Sequence, residues 1–150
     1  MNSILQGAAF FGGLAAVSGE KTKKSMEKAC RIVRKEARRV LGTYEYEWPK
    51  LKPATIARKA TGDSPGLETG AMRKSLQFEV KGERLHWTGY VGTNDPHARF
   101  FELGTRKQPP RSFLRGACMR KEVEIKKILG HDFCHSLFTK DHNVDVGGDE

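Results

Sequence analysis

The segment Gly66–Val80, GLETGAMRKSLQFEV, contains the change of hydrophobic period on which the fold depends. Thr69-Gly70 has turn composition, and the Thr69 hydroxyl can accept a backbone N–H as a helix N-cap. Ala71–Ser75 is long enough for one or two helical turns. Beyond Ser75, apolar and polar residues alternate with the period of a half-buried strand. The apolar positions of that strand are Leu76, Phe78 and Val80. The sequence therefore predicts a short helix that runs directly into a sheet.

A second strand is predicted immediately after this one. Lys81-Gly82-Glu83-Arg84 has turn composition, and the alternation resumes from Leu85 to Val91. A two-stranded hairpin alone is only marginally stable in water. We therefore expect either a further strand near Thr105–Gln108 or completion of the sheet by another copy of the chain.

Helices are predicted on both sides of the hairpin. Apolar residues recur every three or four positions from Lys21 to Leu41, which predicts an amphipathic helix of about five turns that ends at Gly42. Two prolines make Thr105–Phe113 extended. The other predicted helices are Pro53–Ala60, His97–Leu103 closed by Gly104, and a last helix from a Ser112 cap to Leu129.

These elements predict an α+β fold: a long N-terminal amphipathic helix and a C-terminal helix pack on a small antiparallel sheet, with long loops. The chain has 150 residues, 37% of them hydrophobic, which suits one domain. We expect the domain to span residues 1–130, with an apolar arm at 1–19, followed by a mobile acidic tail at 131–150. The apolar start lacks a preceding positive region, so we expect neither a secretory signal nor a membrane partner.

Charge is distributed unevenly along the chain. The formal net charge is +9, and the segment 21–39 alone contains nine basic and two acidic residues. The segment 131–150 contains five acidic residues and one lysine. Such a basic body favours an anionic partner, and a helix without aromatic residues suits contact with a nucleic-acid backbone. The alternative is the solvated outer face of a core helix. The residues predicted to face DNA are Lys24, Lys28, Arg31, Arg34, Lys35 and Arg38.

The sequence offers little support for catalysis, and we expect no enzyme activity, no catalytic residue, no metal and no cofactor. Nucleotide-binding, zinc-protease and serine-hydrolase motifs are absent from it. His97 and Glu102 are five positions apart, so they do not share a helix face, and Glu102 is expected to hold loop backbone instead. The three cysteines have no paired spacing, which favours reduced, buried thiols. The histidine cluster near the C terminus lacks a second ligand set: His131, Asp132, Cys134, His135 and His142.

Three segments, in order, carry a resemblance to a known family: LETGAMRKSL (Leu67–Leu76), VGTNDPHARFFELGT (Val91–Thr105) and PPRSFLRGA (Pro109–Ala117). Together they resemble the neck and tail-completion family of tailed bacteriophages, the HK-ninety-seven gene-ten type. The order and spacing of the three motifs match, and about four-fifths of the chain is covered. Ser112 stands where proline is common in the family, and residues 131–150 have no counterpart.

The resemblance implies a structural virion protein rather than an enzyme. Such proteins form a homo-oligomeric ring, here a hexamer or a dodecamer, at the head-to-tail junction. Their expected partners are portal-side connector proteins, tail-tube proteins and the packaged double-stranded DNA that passes through the ring. The location is the virion neck, after assembly in the host bacterial cytoplasm. The alternative from the residues alone is a non-specific DNA-binding module that uses helix 21–41, and a third hypothesis is a hydrolase that uses His97 and Glu102.

The resemblance also indicates which residues form the subunit interface or its structural motif. Thr69 and Gly70 are expected to fix the helix-to-strand crossing, and Arg111 and Phe113 to anchor the extended segment by charged hydrogen bonds and by burial. The full predicted set is Thr69, Gly70, Arg73, Glu102, Gly104, Thr105, Pro110, Arg111 and Phe113.

Overall fold

A computed structural model describes residues 9–11, 19–83 and 86–139. Its strands are β1 (Ala9–Phe11), β2 (Gln77–Glu83) and β3 (His86–Gly92). Its helices are α1 (Gly19–Val40), α2 (Pro53–Arg58), α3 (Ala71–Ser75), α4 (Pro96–Leu103), α5 (Leu114–Arg120) and α6 (Glu122–Thr139). The strands form one antiparallel sheet in the order β1-β3-β2. The predicted α+β class is confirmed.

Helix α1 lies at the centre of the molecule, as its amphipathic pattern predicts. It packs against β2 and β3 and also against α5 and α6. Its buried residues recur at helical spacing, so one face of the helix is buried in the core while the charged residues lie on the other face. The buried residues of α1 include Met26, Ala29, Cys30, Val33, Ala37 and Val40.

The hairpin is longer than the sequence predicts. Lys81, Gly82 and Glu83 belong to β2 rather than to a turn, because Glu83 still pairs with His86. The predicted turn residue Arg84 and the predicted strand residue Leu85 lie outside the described residues. A side chain at Gly82 would collide with the backbone of His86, so the close approach of the two strands requires glycine here. In the sequence the same glycine indicates a turn, which is why the end of β2 was predicted as one.

The third strand comes from the N-terminal arm. Ala9–Phe11 pairs with Gly89–Val91 of β3, so a segment of the arm at 1–19 adds to the hairpin. The prediction of a strand near Thr105–Gln108 is wrong: those two residues bridge only each other in a local turn. Within the described residues, no strand pairs with the outer edge of β2.

The C-terminal helix is broken and begins differently from the prediction. It divides into α5 and α6 at Lys121, and α5 starts at Leu114 with Phe113 as its N-cap. Ser112, the predicted cap, donates its hydroxyl to the carbonyl oxygen of Glu102 at 3.1 Å instead. Helix α6 continues past Gly130 to Thr139. The rest of the predicted tail, 140–150, lies outside the described residues.

Candidate functional site

The first cluster of predicted site residues joins the end of α1 to the sheet. Gly70, rather than Thr69, is the N-cap of α3, and its φ of 75° is a left-handed conformation that glycine adopts readily. The Thr69 hydroxyl still accepts the N–H of Ala71, at 3.2 Å. Arg73 donates a hydrogen bond from Nη2 to the carbonyl oxygen of Leu41, just beyond α1. Arg73 therefore ties α3 to the end of the long helix.

Arg38 strengthens the same junction from the opposite direction. Its Nη2 donates to the carbonyl oxygens of Leu76, at 2.7 Å, and Lys74, at 3.3 Å. Carbonyls at helix ends lack partners within their own helix, and a guanidinium is a strong donor to them. Arg38 was predicted to face DNA, but the contacts it makes hold the helix-to-strand crossing.

The second cluster is built around the carboxylate of Glu102, at the end of α4. This carboxylate accepts the backbone N–H groups of Phe113 at 2.8 Å, Leu114 at 2.9 Å and Arg115 at 3.0 Å. These are N–H groups that the start of α5 leaves without helical partners. The expectation that Glu102 holds loop backbone is confirmed by these three hydrogen bonds.

Arg111 fastens this cluster to the proline-rich loop. Its side chain is 3% exposed and donates from Nε and Nη2 to the carbonyl oxygen of Pro49, at 3.1 and 2.8 Å. Burial lowers the pKa of the guanidinium from its usual value. The Arg111 N–H also donates to the carbonyl oxygen of Phe101, at 2.8 Å. Phe101 in turn packs on the fully buried ring of Phe113, with 5.8 Å between ring centroids.

Gly104, Thr105 and Pro110 belong to the segment that connects α4 to α5. Gly104 has φ 76°, and a side chain there would lie 2.7 Å from the nitrogen of Pro110. The Thr105 N–H donates to the carbonyl oxygen of Gln108 at 2.8 Å, which closes a tight turn where the sequence predicts extended chain. All nine predicted motif residues therefore lie in two internally bonded clusters.

The predicted DNA-facing residues separate into two groups. Lys24, Lys28, Arg31 and Lys35 are exposed and recur at spacings of four, three and four, so they form one row on α1 that we call the α1 stripe. The row is about 16 Å long, at 1.5 Å per residue. Within the described part of the chain none of the four makes an ion pair. Arg34 and Arg38 are half-buried beside the row.

Arg34 lies against the sheet rather than in solvent. Its guanidinium carbon is 4.7 Å from the centroid of the Phe78 ring, and that of Arg31 is 5.9 Å from the same centroid. Desolvation, and then the neighbouring charges of Arg38 and Arg31, lower the pKa of Arg34 from its usual value. The effect of these neighbours indicates how closely positive charge is gathered on this side of α1.

Beyond the α1 stripe, an acidic pair compensates the last arginine of the helix. Arg39 donates to the carboxylates of Glu36, at 2.7 Å, and Glu45, at 2.6 Å. The hydroxyl of Tyr46 donates to Glu36 at 3.0 Å. The hydrogen bond from Arg39, opposed by desolvation and aided by Tyr46, holds the pKa of Glu36 at about 2. This network was not predicted from the sequence, although the position of Glu36 three residues before Arg39 is a signal for it.

A groove of about 1170 Å³ opens between the proline-rich loop, α2, the Gly66–Met72 turn and α4. Six cationic and two acidic residues line it. Four of those cations are exposed: Lys50, Lys52, Arg58 and Lys107. We call it the basic groove. The groove was not predicted from the sequence, although lysines in both proline-containing segments are a signal for it.

Metal and thiol chemistry find no support in the described residues. They contain no group of three histidine, cysteine or acidic residues placed to hold a metal ion. The side chains of the C-terminal cluster beyond His131 lie outside them. Burial is the main cause that raises the pKa of the Cys30 thiol to about 12 and that of Cys118 to about 11. Both thiols are therefore unreactive near neutral pH. No helix in the described ranges is long and apolar enough to cross a membrane.

Comparison with known proteins returned no match: no family model, no curated protein and no solved structure is similar to the chain.

Proposed function

We propose that this chain is a structural virion protein that forms a homo-oligomeric ring at the head-to-tail junction of a tailed bacteriophage, as a neck, tail-completion or tail-terminator subunit. The observation that carries the proposal is that a charged residue from each of the three motif segments binds backbone groups of its own chain. Arg73, Glu102 and Arg111 all hold backbone of their own chain, at the ends of helices and in the proline-rich loop. Such residues build a scaffold that presents surfaces, rather than a site that transforms a substrate.

The outer surfaces suit a subunit with neighbours. Phe100, Leu103, Met119 and Val123 are large apolar residues with more than half of their surface exposed. The outer edge of β2 has unpaired backbone groups within the described sheet. Apolar side chains and open strand edges of this kind are common where another chain docks. A ring of identical copies joined head to tail would use two such surfaces on each copy.

The α1 stripe suits a channel that contains duplex DNA. Four exposed cations without acidic partners among the described residues attract phosphates of any sequence. A DNA channel needs this kind of contact, because the duplex must move past the protein without being read. Under this proposal the stripe lines the ring, and the connector and tail-tube proteins bind its two faces.

The test is to analyse purified tailed particles that encode this chain. Mass spectrometry should find the chain as a stoichiometric virion component, and electron cryomicroscopy should place a ring of its copies between capsid and tail tube. Absence of the chain from intact particles would overturn the proposal. A monomeric state of the isolated chain has less weight, since such subunits can assemble only on a preformed connector.

A second function, a free-standing DNA-binding module, is favoured by the α1 stripe alone. It predicts that the isolated subunit binds duplex DNA tightly at physiological salt, with an affinity that falls steeply as salt rises. The ring subunit predicts only weak binding by one copy, because its stripe acts in parallel with those of the other copies. Binding of the monomer measured against salt by fluorescence anisotropy separates the two functions.

A further inference from the structure

The basic groove has the chemistry of a binding site for an acidic, partly apolar peptide. Its exposed cations come from two separate parts of the chain, Lys50, Lys52 and Arg58 on one and Lys107 on the other. Neither Lys50, Lys52 nor Lys107 makes an ion pair with another described residue. Among the residues lining the groove, the acidic ones are Glu68 and Asp95, and Asp95 is already bonded to His97.

The floor of the groove is apolar. Leu51, Leu67, Met72 and Phe101 line it, together with Phe100, whose ring is 52% exposed. The groove is larger than the roughly 300–1,000 Å³ of most small-molecule pockets, so an extended segment fits it better than a small ligand. A duplex presents phosphates but no apolar side chains, and therefore leaves this floor unused.

We propose that the occupant is the segment 140–150 of a neighbouring copy of this chain. Its sequence, KDHNVDVGGDE, has four acidic residues and one lysine, which complements the groove in charge. Val144 and Val146 flank Asp145, so the same segment offers apolar side chains for the floor. This inference rests on the proposed ring and deepens it, because it names one contact between adjacent copies.

The placement of the two parts favours a contact between copies over one within a copy. The groove is built from residues 50–72 and 95–111, whereas α6, which leads into the segment, packs on α1 and α5. A tail on one surface and a groove on another make a head-to-tail contact, which is the type that closes rings. Charge complementarity of this kind also selects the partner and the register.

Peptide binding provides the first test. The receptor is the full-length chain with its own tail neutralised by Asp141→Asn, Asp145→Asn, Asp149→Asn and Glu150→Gln, and the probe is a fluorescent peptide of sequence KDHNVDVGGDE. We expect saturable binding that weakens by about tenfold or more when the groove cations are reversed by Lys50→Glu, Lys52→Glu, Arg58→Glu and Lys107→Glu, since several charge pairs are then lost together.

The matched control reverses the α1 stripe by Lys24→Glu, Lys28→Glu, Arg31→Glu and Lys35→Glu. It changes the same number of lysines and arginines, so it removes the same net charge from another surface. Peptide affinity should stay within about twofold after this change. Equal weakening by both variants would show general charge attraction and overturn the proposal, as would loss of duplex binding, rather than peptide binding, on groove reversal.

Isotope mixing shows which copy supplies the tail. Equal amounts of ¹⁴N- and ¹⁵N-labelled full-length chain are treated with a carbodiimide, which joins lysine amines to carboxylates in contact. We expect mixed-isotope links from Lys50, Lys52 or Lys107 to Asp141, Asp145 or Asp149. Links of one isotope only would place the tail in its own groove and overturn the contact between copies. A ring in particles without these links would leave the proposed function intact, whereas links without a ring would count against that function alone.

Discussion

At Glu102 a single carboxylate accepts the N–H groups of Phe113, the N-cap of α5, and of the first two α5 residues, at 2.8, 2.9 and 3.0 Å. Glu102→Ala should lower the free energy of unfolding by about 2–3 kcal/mol, because it leaves three backbone donors, two of them partly buried, without their partner at once. Urea unfolding measures the change. Glu68→Ala is the control, since Glu68 is exposed and should change stability by less than about 0.5 kcal/mol. A Glu102→Ala chain as stable as Glu68→Ala would mean that water replaces the carboxylate without loss.

Glu36 gives stability a defined dependence on acid. Its side chain is 6% exposed, and its pKa is lowered from 4.5 to about 2, mainly by the hydrogen bond from Arg39. A carboxyl whose pKa is lower in the folded state stabilises the fold fully above its unfolded pKa. That contribution, up to about 3 kcal/mol, is therefore lost as the pH falls from about 4.5 to about 2.

Paired pH titrations isolate this effect from the other carboxylates. Unfolding free energies of the wild type and of Glu36→Gln should converge as the pH falls through that window, and should differ most above pH 4.5. Glu83→Gln, at an exposed strand position, is the matched control for loss of one carboxylate and should change the unfolding free energy at neutral pH by less than about 0.5 kcal/mol. Parallel curves for the wild type and Glu36→Gln would contradict the assigned role of Glu36.

The roles of some side chains could be predicted from the sequence, whereas those of others could not. The backbone-holding role of Glu102 was predicted from its spacing to His97. The anchoring roles of Arg111 and Phe113 were expectations from the family resemblance. The carbonyl contacts of Arg38 were not predicted, since nothing in a helical pattern tells which of several cations reaches a distant carbonyl. The partner that decides its role, the Leu76 carbonyl, lies 38 positions away.

At the scale of elements, the packing of α1 on β3 depends on one missing side chain. A Cβ at Gly89 would overlap Sγ of Cys30 and lie 3.0 Å from Sδ of Met26. Gly89→Ala should therefore destabilise the fold by about 1–3 kcal/mol through overpacking. Cys30→Ala in the same chain should recover part of that loss, so a double-mutant cycle will give a coupling energy of at least about 0.5 kcal/mol. Thermal or urea unfolding of the four chains measures it.

Gly130 is the contrasting case, in the interior of α6. An added Cβ there meets no atom within 4 Å, so Gly130→Ala should stabilise the helix by about 0.5–1 kcal/mol. If both glycine substitutions stabilised the fold, helix and sheet propensity rather than contact between α1 and β3 would explain the Gly89 result.

Elements with strong periodicity were predicted well, and those fixed by tertiary contacts were not. The bounds of α1, α3 and α4 follow from apolar spacing and from glycine or proline at their ends. The break between α5 and α6 has no such signal, and the pairing of Ala9–Phe11 with β3 cannot be read from an apolar arm. The instability of a lone hairpin left two alternatives, a further strand near Thr105–Gln108 or completion by another copy, and neither is the strand Ala9–Phe11 that pairs with β3.

At the scale of the whole molecule, two surfaces have the same formal charge and different predicted partners. The α1 stripe and the four exposed cations of the basic groove each contain three lysines and one arginine. Replacing the stripe by Lys24→Ala, Lys28→Ala, Arg31→Ala and Lys35→Ala should weaken duplex binding and lower the slope of log affinity against log salt by about 3–4, at roughly 0.9 per phosphate contact. Anisotropy titrations at several salt concentrations measure that slope.

The groove set, Lys50→Ala, Lys52→Ala, Arg58→Ala and Lys107→Ala, should leave the slope nearly unchanged, because its cations do not form one row that a duplex backbone can follow. Arg38→Ala should lower the free energy of unfolding and change the salt slope little, since its donors are bonded to the carbonyls of Leu76 and Lys74. Equal slopes for the stripe and groove variants would show that duplex binding depends only on net charge, and would contradict the proposal that the α1 stripe contacts DNA.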